Sequence, residues 1–77
     1  MSARLDKPWA FASVRIDTAW LDLHLHPSGE YDRFTHDGRG IARLVGRLAD
    51  EERVVVVIEA AGGLERTLVR ACRQADI

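Results

Sequence analysis

Two carboxylates, each at the end of an apolar segment, are the strongest candidates for chemistry in this sequence. Asp17 ends the segment that begins at Phe11, and Glu59 follows the run Val54–Ile58. If these segments are neighbouring strands of one sheet, both carboxylates emerge at the same end of it. Convergent carboxylates supply the oxygen ligands that Mg²⁺ or Mn²⁺ prefers, and such ions serve phosphoryl transfer. The alternative, which spacing alone favours, is that each acid only marks a strand end that faces water.

Other polar groups have simpler structural explanations. Asp22, His24 and His26 alternate along one strand and could hold a transition metal, but a His-x-His pair on an exposed strand usually faces solvent. The segment Ala60–Gly63 lies between a strand and a helix, as a phosphate loop does, yet it matches neither glycine-rich phosphate motif. We expect it to let the helix begin close to the sheet. Cys72 lies on an apolar helix face, which predicts a buried structural thiol.

The arginines and aromatic residues also have structural explanations. We expect the arginine stripe of the first helix to be its solvated side, opposite an apolar stripe. The large aromatic side chains are predicted to fill the core or cover the hairpin rather than to stack on bases. The residues in these two groups are Arg39, Arg43 and Arg47, and Trp9, Phe11, Trp20 and Phe34.

Length and charge exclude several classes of protein. The chain has 77 residues, a formal net charge of -1 and one cysteine. This length allows one small domain or part of one, and a single cysteine cannot form an internal disulfide. The charge balance argues against unaided nucleic-acid binding, which needs a basic excess. The sequence shows neither an apolar run long enough for a membrane span nor a secretory signal, so we expect a cytoplasmic protein.

The hydrophobic pattern predicts an α/β fold in the order strand, strand, strand, helix, strand, helix. Residues 1–9 lack a period and are predicted to be a loose leader, and residues 10–77 to form the folded part. The predicted strands are Phe11–Asp17, Leu21–His26, Tyr31–Thr35 and Val54–Ile58, and the predicted amphipathic helices are Arg39–Ala49, with Asp37 as N-cap, and Leu64–Ala75. The unalternated valine run is typical of a strand buried on both faces. Because such a unit normally continues into another strand, we expect a truncated domain.

An ordered series of segments resembles the amino-terminal region of the DEDD-type insertion-sequence transposases, a family that includes the pilin-gene invertases. The segments are Ile16–Ala19, Trp20–Asp22, Pro27–Glu30, Phe34–Asp37 with Gly40–Ile41 following, and Ile58–Arg66. The resemblance covers most of the chain from Val14 onward. It implies a RuvC-like, RNase H-like fold in which Asp17 and Glu59 match the first two of four metal-binding acids.

The resemblance also implies a function and partners. It implies metal-dependent DNA strand cleavage and exchange in DNA transposition, with Mg²⁺ as cofactor and with DNA and an element-encoded guide RNA as partners. The third and fourth acids and the serine-bearing domain of the family do not occur within these 77 residues. We therefore expect the isolated chain to be inactive. Two alternatives stay open: a standalone module that pairs its open sheet edge with itself or with a full-length transposase, and a degenerate reading frame.

Overall fold

A computed structural model describes residues 9–77, and its elements follow the predicted order. The strands are β1 (Ala10–Ile16), β2 (Trp20–His26), β3 (Tyr31–Thr35) and β4 (Val54–Ile58), and the helices are α1 (Gly38–Ala49) and α2 (Arg66–Gln74). Residues 1–8 of the predicted leader lie outside the described residues. Trp9, the last residue of that segment, is 49% exposed.

The four strands form one mixed sheet in the order β3-β2-β1-β4. The first three strands are an antiparallel meander, as predicted, and β1 pairs with β4 in parallel. In this register Ala10 lies opposite Val54 and Val14 opposite Ile58. The chain is therefore a small α/β unit in which the strands that precede the two candidate acids are direct neighbours.

The hydrophobic core lies on one face of the sheet, beneath both helices. Alternation along β1 and β2 directs every second side chain toward this face, because successive side chains of a strand point to opposite sides. The buried cluster comprises Ala12, Val14, Leu21, Leu23, Leu25, Ile41, Leu44, Leu48, Leu68 and Cys72. Both helices are amphipathic and contribute their apolar stripes to this cluster.

The opposite face of the sheet, called the open face below, contradicts two predictions from the sequence. Val55 and Val57 are 42% and 55% exposed, so β4 is not buried on both faces. The prediction that the aromatic residues are core or hairpin cover holds for Phe34, which packs against the core, but its core part is wrong for Phe11 and Trp20, which are 51% and 41% exposed on the open face. The physical reason is that within residues 9–77 both helices pack on the core side, so the other side meets solvent.

Helix α1 begins where its sequence predicts. The Oδ1 atom of Asp37 accepts a hydrogen bond from the amide of Gly40 at 2.8 Å, which satisfies one of the unpaired donors of the first turn. Thr35 donates its hydroxyl to the same Oδ1 atom at 2.9 Å. Gly40 itself lies against the backbone of Thr35, so the helix starts in direct contact with the end of β3.

Helix α2 begins later than predicted. Leu64 was expected in the apolar stripe of the helix, but it lies in the preceding turn and is 41% exposed. The helix starts at Arg66, and Leu68 and Cys72 provide its buried stripe. Within residues 9–77 no helix has the length and apolar character needed to cross a membrane.

Candidate metal site at one end of the sheet

The structure brings the ends of β1 and β4 together, and with them Asp17 and Glu59. The amide of Glu59 donates to the carbonyl of Val14 at 3.4 Å, so the parallel ladder continues one residue past β4. The amide of Asp17 donates to the carbonyl of Trp20 at 2.9 Å, so β1 also continues past its last strand residue. Both acids are exposed. Strand alternation puts both on the open face, with Cα atoms about 8 Å apart by standard strand spacings.

Asp17 is held by its own turn. Its Oδ1 atom accepts the amide of Thr18 at 2.7 Å, and its carbonyl accepts the Nδ1 atom of His36 at 2.7 Å. Because a carbonyl oxygen only accepts, Nδ1 of His36 is the donor in this hydrogen bond. The amide of His36 also donates to the carbonyl of Ala19 at 3.0 Å. The imidazole and the end of β3 therefore fix the backbone that carries the first acid.

The turn between β1 and β2 contains no glycine, although two-residue hairpin loops usually need positive φ. Thr18 and Ala19 form this loop, and neither has a positive φ. The hydrogen bonds from Thr18 and His36 to Asp17 supply the fixing contacts that a glycine turn would obtain from its backbone alone. One carboxylate oxygen of Asp17, Oδ1, is therefore already occupied as a hydrogen-bond acceptor within this short turn.

Arg15 lies on the same face of the sheet as the two acids. It lies two residues before Asp17 on the same strand face and beside Glu59 across the parallel pair, one step beyond the register of Val14 with Ile58. The end of the sheet therefore carries two carboxylates and one guanidinium. This arrangement suits an assembly of carboxylates, a cation and phosphate oxygens better than it suits a cation alone.

The donor set of the site fits Mg²⁺ in type. Mg²⁺ keeps several water ligands and is often held by one or two carboxylates together with substrate phosphates. Asp17 retains Oδ2, and the Glu59 side chain makes no hydrogen bond to the described part of the chain, so oxygens of both acids can serve as ligands. Among residues 9–77 no group of three or more potential ligands from His, Cys, Asp and Glu is assembled. The two acids therefore form at most part of a complete ligand set.

The strand with Asp22, His24 and His26 makes a different kind of cluster. Asp22 receives Nε of Arg33 at 2.7 Å and the hydroxyl of Tyr31 at 2.9 Å from the neighbouring strand. The hydrogen bond from Arg33 is the main cause that lowers the pKa of Asp22. His24 packs its ring on Tyr31 with centroids 4.6 Å apart. These cross-strand contacts give Asp22 and His24 a structural role on the open face.

The loop Ala60–Gly63 binds a carboxylate of its own chain. Oε1 of Glu65 accepts the amides of Ala61 at 2.7 Å and of Gly63 at 3.1 Å. These backbone donors, that of Ala61 first, lower the pKa of Glu65. Positive φ angles at Gly62 and Gly63 shape the turn. The amides of Ala61 and Gly63, which a phosphate loop would offer to a ligand, thus bind a side chain of the same chain. Glu65, two residues after the loop, is the feature of the sequence that could have indicated this.

Cys72 and the helix arginines have structural surroundings. Cys72 is buried in the core, and burial raises the pKa of its thiol, as expected for an unreactive cysteine. Arg47 donates to Glu51 at 2.9 Å and to Glu30 at 2.6 Å, joining α1 to the β2–β3 turn. The other arginines of the α1 stripe, Arg39 and Arg43, are exposed.

Sequence comparison does not identify a relative. No family model matches this chain, and a search of the curated proteins finds no match. The likeness to the DEDD transposases therefore depends on the sequence segments that carry it.

Proposed function

We propose that this chain is the amino-terminal part of a DEDD-type transposase, with a RuvC-like, RNase H-like fold in which Asp17 and Glu59 are two of the acids of a Mg²⁺ site. The observation that carries the proposal is the parallel pairing of β1 with β4, which brings Asp17 and Glu59 to one end of the sheet. The strand order β3-β2-β1-β4, with a helix between β3 and β4, supports the proposal because it makes β1 and β4 direct neighbours.

In the complete enzyme Asp17 and Glu59 would hold the metal through carboxylate oxygens. When bound, Mg²⁺ in such a site activates the nucleophile and stabilises the leaving oxygen during DNA strand cleavage and exchange. His36 and Thr18 keep the Asp17 turn in place. Arg15, on the same face, is placed to meet a phosphate oxygen near the carboxylates.

The isolated chain would bind metal weakly and would not cleave DNA. Removal of members of a cooperating catalytic set costs orders of magnitude in rate, and two acids of four are such a removal. DNA and an element-encoded guide RNA would be partners of the complete enzyme. The proposal includes a cytoplasmic location.

Paramagnetic line broadening tests the metal site. Mn²⁺ titrated into the ¹⁵N-labelled chain should broaden the amide signals of Thr18 and Ala60 first. Asp17→Asn or Glu59→Gln should remove this preference. Asp32→Asn is a matched control, because Oδ1 of Asp32 also accepts the amide of the next residue, at 2.8 Å, but lies on β3. Broadening that spreads evenly over exposed acids, or that survives both site substitutions, would exclude the site.

The genomic sequence tests the family assignment separately. We expect the DNA downstream of the Ile77 codon, in one of its three frames, to encode two further acids and a serine-bearing domain. A downstream region with no such coding sequence would contradict the transposase proposal even if Mn²⁺ binds at Asp17. A purified chain that cleaves DNA with Mg²⁺, and loses this activity on Asp17→Ala, would contradict its predicted inactivity.

A further inference from the structure

The proposed metal site does not involve the free edge of β4. Within residues 9–77, β4 lies at the edge of the sheet and pairs only with β1. The carbonyl of Arg53 accepts the amide of Ala10 at 2.8 Å, and the amide of Glu59 donates to Val14. Odd-numbered residues of β4 thus direct their backbone groups to β1. Because these groups alternate along a strand, the amides and carbonyls of the even-numbered residues point away from the sheet.

The side chains of this edge strand are apolar on both of its faces. Val55 and Val57 are exposed on the open face, and on the core side Val54, Val56 and Ile58 are only half-buried. Natural edge strands usually carry a lysine, a proline or a bulge that prevents pairing, and β4 has none of these. Both the backbone and the side chains of β4 are therefore suited to a further strand.

We infer that the occupant of this edge is a second copy of the chain, paired antiparallel to β4 about a two-fold axis at Val56. In this register Val56 of each copy lies opposite Val56 of the partner subunit, and Val54 lies opposite Ile58 of the partner subunit. These are the residues whose backbone groups point outward. Each of them donates and accepts one hydrogen bond with its opposite residue, so the pairing satisfies the whole edge.

Charge complementarity selects this register. It places Arg53 directly opposite Glu59 of the partner subunit, on the open face, at both ends of the paired segment. A register centred on Val55 would instead place Glu51 opposite Glu59 of the partner subunit and Arg53 opposite a valine. Directly opposed like charges destabilise a strand pair, whereas opposite charges stabilise it. An isologous pairing of this kind closes as a dimer and joins two four-stranded sheets into one.

Dimer formation does not depend on the proposed metal site, although Glu59 belongs to both. The experiments are therefore done with the full chain in EDTA, so that metal binding contributes nothing. A failure of the Mn²⁺ experiment leaves the dimer proposal intact, and a monomer in EDTA leaves the metal proposal intact.

Sedimentation equilibrium of two charge-reversal variants tests the register. Arg53→Glu and Glu59→Arg each oppose like charges twice in a homodimer, and each should weaken the dimer roughly tenfold. An equimolar mixture of the two variants opposes unlike charges at both ends, so it should form a heterodimer about as tight as the wild-type dimer. The double variant in one chain should restore the homodimer. Circular dichroism checks that each variant is folded.

Hydrogen exchange tests the pairing without any substitution. The amides of Val54, Val56 and Ile58 should gain protection as the protein concentration rises. The amides of Val55 and Val57 bond to β1 in either state and should be protected at every concentration. A chain that stays monomeric at millimolar concentration overturns the inference. So does a dimer in which the variant mixture fails to recover affinity, or in which the protected amides lie on another element.

Discussion

Helix α1 contains two glycines at which the same substitution should have opposite effects on stability. A Cβ added at Gly46 would meet nothing within 4 Å. A Cβ added at Gly40 would overlap the backbone of Thr35, 2.6 Å from its carbonyl carbon and 2.7 Å from its Oγ1 atom, and closer still to its carbonyl oxygen. Alanine is therefore compatible with the fold at one position and incompatible with it at the other.

The two effects can be estimated from these surroundings. Gly46→Ala should stabilise the protein by about 0.8 kcal/mol, because glycine in a helix interior carries that entropic cost. Gly40→Ala gains at most the same amount, but relief of the overlap requires α1 to move roughly 1 Å from β3. Overpacking of this kind costs about 1–3 kcal/mol or more, so the net loss should be near 2 kcal/mol. In a domain of this size the midpoint temperature of thermal unfolding should rise about 5 °C for Gly46→Ala and fall about 10 °C for Gly40→Ala.

Thermal and urea unfolding followed by circular dichroism at 222 nm would measure both changes at one protein concentration. The fixed concentration matters because association contributes to apparent stability. Equal effects at the two positions, or a stabilised Gly40→Ala variant, would refute the close packing of α1 on β3. The wild-type slope of urea unfolding should be kept in both variants, since neither alters the amount of buried surface greatly.

Three further predictions concern the core, the α2 turn and the cysteine. Leu44→Ala should cost about 2–5 kcal/mol in the free energy of urea unfolding, whereas Leu64→Ala, at an exposed turn position, should cost less than about 1 kcal/mol. The pKa of Glu65 is lowered in the folded protein, so the ionised carboxylate stabilises the fold fully above the ordinary pKa of a glutamate, and this stabilisation is lost as the pH falls through the lowered pKa. The NMR chemical shift of the Gly63 amide should titrate in that lower pH range, and Glu65→Gln should abolish the titration. The thiol of Cys72 should react with a disulfide reagent slowly in the native protein and quickly in urea, and rapid native labelling would contradict its burial.

Local patterns predicted most of the elements because each has a period or a cap of its own. The strands Tyr31–Thr35 and Val54–Ile58 have the predicted bounds, and α1 begins after the predicted cap at Asp37. The predicted start of α2 was wrong because Leu64 has helical spacing from Leu68. In the structure the carboxylate of Glu65 holds the preceding loop in a turn, and the helix begins after it. A hydrogen bond from a side chain to a loop amide leaves no periodic signal in the sequence.

Burial of whole sheet faces could not be predicted in the same way. The valine run has the composition of a strand covered on both sides, but coverage depends on where helices pack, which is a property of the tertiary structure. The adjacency of Asp17 and Glu59 could be predicted more readily from the sequence, because the order of elements restricts which strands can be neighbours. The contacts of His36 and Thr18 with Asp17 depend on the exact register of three strands, which no local pattern in the sequence specifies.

The exposure of the open face also affects the intrinsic fluorescence of this protein. Both tryptophans are partly exposed, Trp9 at 49% and Trp20 at 41%, and each lies under a guanidinium, with Arg53 and Arg33 at 5.9 Å and 5.3 Å from the ring centroids. Their emission in the folded chain should already resemble that of hydrated indole, so unfolding should shift the spectrum little. Covering of the open face should shift it to shorter wavelength. Intrinsic fluorescence is therefore a poor probe of folding in this molecule, and it would report a partner that covers the open face, which pairing along the β4 edge does not do.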